Sequence, residues 1–193
     1  MVVRTARLLI GSVLVLAGAA ALAVSLIQYV RGNAWQQAHA VPDPILLTES
    51  PAEPVVGLGE PIGRLSIPRI GLDLAVVEGT RKEDLLKAPG HLAGSALPGA
   101  PDNCIIAGHR DLHFRRLGDL RPGDRVILET GRKEVEYRVV RTRVVRADDT
   151  SVLAPAREPL LTLITCYPFH YVGPAPRRFV VLASLVPAPG RAF

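Results

Sequence analysis

Thr162-Leu163-Ile164-Thr165-Cys166-Tyr167-Pro168-Phe169 closes an apolar run that begins at Leu160. The run is too apolar and too short for anything but a strand or a piece of buried helix. Pro168 and Gly173-Pro174 stop it abruptly. Cys166 therefore stands where a rigid element meets an open loop, a usual position for a reactive group. Twelve residues on, Arg178 opens the run Phe179-Val180-Val181-Leu182-Ala183, and upstream His109 follows Cys104-Ile105-Ile106-Ala107-Gly108.

Outward from this stretch the pattern repeats. Ile62–Ile67, Leu72–Val77, Asn103–His109, Arg125–Thr130, Glu134–Val145, Leu160–Cys166 and Arg178–Leu185 read as strands. Arg81–Lys87 is long enough for about two helical turns. Thr130-Gly131-Arg132-Lys133 reads as a hairpin connection and Arg121-Pro122-Gly123-Asp124 as a turn. Seven or so short strands with little helix indicate an all-β barrel or sandwich over residues 61–187. A domain of this size buries a real core without disulfides.

The N-terminus differs in kind. Leu8–Val30 carries no charge and is long enough to cross a bilayer core of about 30 Å. Arg4 and Arg7 precede it, so residues 1–7 read as a cytoplasmic basic tail and 8–30 as a single-pass anchor, with the remainder exported. The rival is a cleavable leader ending at Ala38-His39-Ala40, but the apolar run exceeds the usual 7–15 residues and ends well before that site. Residues 31–60 hold Pro42, Pro44, Pro51, Pro54, Gly57 and Gly59 and read as an extended stalk, while 188–193 reads as a short tail. Hydrophobic residues make up 48% of the chain and mean hydropathy is +0.24, mostly because of the anchor. The charge of +5 comes from scattered arginines, with no run of five or more cations, so nucleic acid is not an expected partner.

The two cysteines sit in different contexts. Cys104 reads as a small buried hydrophobe, Cys166 as a free thiol at a strand end, and no disulfide is expected between them. An ordinary thiol is only a few per cent thiolate at neutral pH, so a catalytic one needs a cationic neighbour. His109 and Arg178 supply that neighbour if the strand ends converge. Along the last strand Arg178, Val180 and Leu182 share one face, so the arginine belongs at a cleft or at the barrel rim.

Taken together these residues resemble the sortase family, and most of all its class D branch. The resemblance rests on Thr162-Leu163-Ile164-Thr165-Cys166, on Ala107-Gly108-His109-Arg110-Asp111, on Pro89-Gly90-His91, Pro98-Gly99, Leu120–Asp124 and Ser151–Pro155, and on Tyr171–Pro176 followed by Arg178-Phe179. It covers about residues 61–186 with the motifs in order. It implies a closed seven- to eight-stranded sortase-type barrel and a cysteine transpeptidase. Cys166 matches the nucleophile, His109 the acid and base, and Arg178, rather than its neighbour Arg177, the oxyanion donor. Implied substrates are secreted proteins with an LPxTG- or LPxTA-like sorting signal, and the implied acceptor is an envelope amine on a cell-wall precursor or a pilin lysine. Ala147–Pro159 resembles the loop that walls the signal groove. Val152 and Leu153 there read equally as contacts for the signal or as loop packing. Thr165 reads equally as a substrate contact or as strand packing. Tyr167 is placed with the substrate-binding residues.

Rival readings remain. One is a membrane-tethered cysteine peptidase that only hydrolyses; another is a silent peptide-binding module. A papain-like protease would need a different motif around its cysteine. Zinc on Cys104, His109 and His113 has tolerable spacing but no supporting motif. No cofactor is expected; for calcium, Asp111, Asp148, Asp149 and Glu158 are present but form no diagnostic pattern.

Overall fold

The computed structural model describes residues 2–38, 56–131 and 133–187. The expected stalk over 39–55, the proposed cleavage site at His39-Ala40, Arg132 of the hairpin and the tail at 188–193 lie outside the described residues. One long helix, α1, runs from Val2 to Ala38. It does not stop at Val30: residues 31–38, the first part of the expected stalk, continue it.

The barrel begins at β1 (Pro61–Ile67), followed by β2 (Leu72–Glu78), the short helix α2 (Lys82–Lys87) and β3 (Gly90–His91). Next come β4 (Asn103–Ala107), β5 (Arg125–Thr130), β6 (Lys133–Arg146), β7 (Leu160–Tyr167) and β8 (Arg177–Leu185). The strands close in the order β1-β2-β3-β4-β7-β8-β6-β5. β5 pairs back onto β1, so the ring closes without an edge strand, although the two-residue β3 covers only the end of β2. Of the expected strands, only the one ending at His109 is notably too long: β4 ends at Ala107. Gly108 and a turn at His109 break it, with the Phe114 N–H donating back to the His109 carbonyl at 2.9 Å. β3 escaped detection because two residues after Pro89 show no alternation.

Alternation fixes which side chains fill the barrel. Leu65, Ile67, Val76, Cys104, Ile106, Leu128, Tyr137, Leu161, Leu163, Phe179 and Val181 point inward and form the main core. The long strand β6 pairs with β5 along one half and β8 along the other, with a register shift between Val139 and Arg141. On the outer face of β7 and β8 a second, smaller cluster forms. Val152, from a one-turn 3-10 segment at Thr150–Leu153, packs there on Val180 and Leu182, beside Val145, Leu160 and Ile164.

Candidate active site

Three adjacent strands bring the expected catalytic residues into one row. β4 and β7 run parallel with Ala107 opposite Ile164. The Gly108 N–H extends that ladder by donating to the Ile164 carbonyl at 3.1 Å, so His109 follows beside Cys166. β7 and β8 run antiparallel with Cys166 directly opposite Arg178. Neighbouring strands lie about 4.8 Å apart, so the thiol has the imidazole one strand away on one side and the guanidinium one strand away on the other. All three belong to the outer face, since Ile105, Ala107 and Ile164 alternate with core-facing neighbours. Val152 covers the rows below; the His109–Cys166–Arg178 row is half-buried and left open at its upper end.

Local sequence explains the approach of His109. A Cβ at Gly108 would meet the Phe114 ring at 2.7 Å, so only glycine lets the loop fold over that ring. Thr165 is 2% exposed, and its hydroxyl donates to the Gly108 carbonyl at 2.7 Å. Thr165 is therefore a brace beneath the histidine loop, and its side chain is not free to meet a substrate. Tyr167 also departs from the expectation. It turns toward the core, its ring stacked near Phe179 at 6.3 Å and set edge-on to Phe169 at 5.8 Å. Val152 is buried in packing, whereas Leu153 beside it is 41% exposed and available.

Arg178 has a partly committed side chain. Its Nη1 donates to the carbonyls of Ala175 at 3.2 Å and Arg177 at 3.0 Å. Nε and Nη2 carry no hydrogen bond among the described residues. Arg177, one residue earlier, pairs with Tyr167 on the other face and is exposed. By this alternation Arg178, not Arg177, shares the face of Cys166.

Four groups hold the surroundings, of which the sequence reading weighs only His113, as a zinc ligand. Asp102 (φ 99°) accepts from the N–H groups of Asn103 at 2.7 Å and Ala156 at 2.6 Å. Asn103, 4% exposed, donates to the carbonyls of Val152 at 3.3 Å and Ala154 at 3.2 Å and accepts from the Thr162 hydroxyl at 2.7 Å. Arg110 reaches across to the loop after Cys166, donating to the carbonyls of Pro168 at 3.2 Å, Tyr171 at 2.7 Å and Gly173 at 3.1 Å. Its guanidinium also lies 5.6 Å from the centre of the Tyr171 ring. His113, four residues past His109, has a buried Nε2 with no hydrogen-bond partner among the described residues. Burial first, and then the nearby His109, push its pKa down to about 4, opposed by a hydrogen bond to the Leu85 backbone. Adjacency to His109, Cys104 and the loop motifs was the only sequence signal for these groups.

A second polar cluster surrounds His91 on β3. His91 Nδ1 lies 2.7 Å from Glu78 Oε2, and its Nε2 lies 2.9 Å from Ser95 Oγ and 3.0 Å from the Ala96 carbonyl. This cluster ties β3 to the following loop.

Both cysteines are free. Cys104 faces the core, and burial first, with Glu78 nearby second, raises its thiol to about 12. Such a thiol is inert. Facing inward, Cys104 cannot share a metal with His109 on the outer face, and no group of three or more His, Cys, Asp or Glu is gathered among the described residues. Of the acids considered for calcium, Asp148 pairs with Arg146, and Asp149 accepts from the Ser151 N–H.

Comparison with known proteins agrees with the geometry. The family model described as "Sortase domain" matches residues 65–186. Sortase D of Bacillus subtilis (strain 168) is 42% identical over 129 residues, covering 66% of this chain and 65% of that protein. The structure of a Clostridium perfringens Sortase D5 transpeptidase aligns with TM-score 0.63 at 28% identity, covering 68% of this chain and 82% of that one. A C. perfringens sortase C solved with the C-terminal cell wall sorting motif aligns at 0.63 and 27%, covering 69% of this chain and 75% of that one. The chain spans less than two thirds of the length of the curated relatives that it matches first. With a matching domain over most of the barrel, and a thiol, imidazole and guanidinium in one row on its outer face, the chain belongs to the sortase family.

Proposed function

We propose that this chain is a membrane-anchored cysteine transpeptidase that cuts an LPxTG- or LPxTA-like sorting signal after Thr and joins it to an envelope amine. The observation that carries the reading is the row His109–Cys166–Arg178 across β4, β7 and β8. The Cys166 thiolate adds to the Thr carbonyl carbon. The oxyanion that forms takes hydrogen bonds from Arg178, whose Nε and Nη2 are the donors left over after Nη1 holds the loop. The C–N bond breaks as His109 gives its proton to the leaving amine, and a thioester remains on Cys166. The acceptor amine then adds to that thioester, passes a proton to His109, and the C–S bond breaks to release the new amide and the thiolate. The exposure of Leu153, on the segment that covers β8, supports a role in meeting an apolar residue of the signal.

The anchor is α1. Within Val13–Ala38 the most apolar 18-residue window has a mean hydropathy of 2.2, and none of that window is buried against the rest of the protein. With Arg4 and Arg7 at its start, the N-terminus faces the cytoplasm and the barrel lies outside. Secreted proteins carrying the signal are the donors; a cell-wall precursor or a pilin lysine supplies the amine.

The test is a quenched sorting peptide, assayed with and without added amine. Product that grows with amine supports transpeptidation, and Cys166→Ala removes all turnover. Cleavage that persists in Cys166→Ala would sink the thiol mechanism. Release of peptide acid alone at every amine concentration would leave a hydrolase.

A further inference from the structure

The contact between the anchor helix and the barrel has chemical detail that a loose tether lacks. β3 pairs with β2 only at Val77 and Glu78, so on the side away from β1 the strand β2 has no neighbour before Val77. Gln36 fills that gap. The Ala75 N–H donates to its Oε1 at 2.8 Å, and its Nε2 donates to the carbonyls of Ala75 at 3.4 Å and Lys87 at 3.1 Å. A side-chain amide thus takes the place of a neighbouring peptide group. Ala75 is left only 1% exposed. One turn earlier, Gly32 lies against the backbone of α2, where a Cβ would sit 3.3 Å from the Leu86 carbonyl.

These contacts fix a height. Gly32 lies two residues beyond Val30, about 3 Å along the helix axis. A headgroup layer is about 5–8 Å thick. With the apolar run in the bilayer core, the end of α2 therefore falls inside that layer. Tyr29 and Trp35 flank the boundary with exposed Arg31 between them, the arrangement an interface favours. On the adjoining surface Arg81, Lys82 and Lys87 are exposed. Of the acids there, Glu83 is exposed beside Arg81, and Asp84 is buried and bound to Arg81.

We propose that the barrel is seated on the membrane itself, with α2 in the headgroup layer of an anionic bilayer at a height set by Gln36 and Gly32. The proposal rests on the membrane-anchored reading above. It gives α2 a second duty, because the loop bearing His109 also packs on this helix through His113 and the Leu85 backbone.

The test uses the full chain in nanodiscs of neutral and anionic lipid, in a Cys166→Ala background. Single nitroxide labels at Leu22→Cys and Lys87→Cys are read for depth by collision with oxygen and with a chelated nickel lipid. The expected result is Leu22 in the hydrocarbon, Lys87 at headgroup depth, and a closer approach of Lys87 when anionic lipid is present. Leu22 in the hydrocarbon with Lys87 in bulk water overturns the seating and leaves the anchor standing. Leu22 in water overturns both. Hydrogen exchange then separates seating from chance contact. Gln36→Ala and Gly32→Leu should each raise exchange of residues 72–78 and move the Lys87 label outward while 160–167 stays protected. Unchanged exchange and depth in both variants would overturn the proposal.

Discussion

The connection from β6 to β7 and the loop from β7 to β8 both border the Cys166 row, yet they are fastened by different chemistry. The first is tied by Asn103 and Asp102, short side chains at the foot of β4 whose bonds are buried or part-buried. The second is tied by Arg110, a long side chain at the surface that takes three carbonyls at once. A network with buried members is costly to break, because each group it abandons there stays dry. An exposed clamp loosens without harming the core, because water replaces it. The first suits a wall of fixed shape. The second suits a loop that can shift.

The comparison breaks most visibly at Asn103. Asn103→Ala leaves the Thr162 hydroxyl and two carbonyls without partners and should lower stability by about 4 kcal/mol in denaturant unfolding. The same variant should weaken peptide binding, seen as a higher KM. Equal stability with an unchanged KM would show that the wall holds without its anchor.

Acid tests the ground between the two segments. The His113 pKa falls from 6.5 in the unfolded chain to about 4 in the fold, chiefly through burial. Between these values the unfolded chain binds more protons. Stability is therefore full above about pH 6.5, declines as pH falls toward 4 and levels off below, a loss of about 3 kcal/mol. His113→Leu should flatten that slope; a slope that survives in the variant assigns it to another group.

Asp102 sharpens the view of the first wall. At φ 99° its backbone lies where side chains are strained. Asp102→Ala keeps the strain and loses two bonds, for about 2 kcal/mol. Asp102→Gly recovers the backbone part and should lose less. The two variants unfolding at one denaturant midpoint would contradict this division.

Arg110→Ala should change global stability by less than about 1 kcal/mol. Hydrogen exchange over 168–174 should nevertheless rise, and amine-dependent turnover should drop roughly tenfold as the loop loses its position. Arg110→Lys should not restore it, since a single ammonium does not match the planar fork that spans three carbonyls. A large fall in stability in Arg110→Ala would place this loop in the same class as the first wall.

Much of this was legible in the chain, for a physical reason. Strand alternation and helix length are local properties, so the apolar runs, the long N-terminal helix, the inward Cys104 and the outward Cys166 follow from neighbours in sequence. Glycine before His109 and proline after Cys166 likewise mark strand ends without any knowledge of partners. The sequence also carried the family motifs, and with them the choice of His109, Cys166 and Arg178.

Which strands lie side by side is not a local property. The parallel pairing of β4 with β7, and the position of β8 beyond it, gather residues 109, 166 and 178 into one row. That adjacency is paid for by the whole closed barrel. Only the packed fold decided that the Thr165 hydroxyl braces Gly108, that Tyr167 turns to the core, and that Asn103 and Arg110 fasten the two flanking segments. It also carried the N-terminal helix past Val30 and onto Ala75, where Gln36 fills a gap that exists because β3 pairs with β2 over only two residues. Side-chain direction follows from the chain itself; the partner it meets is set by contacts distant in sequence.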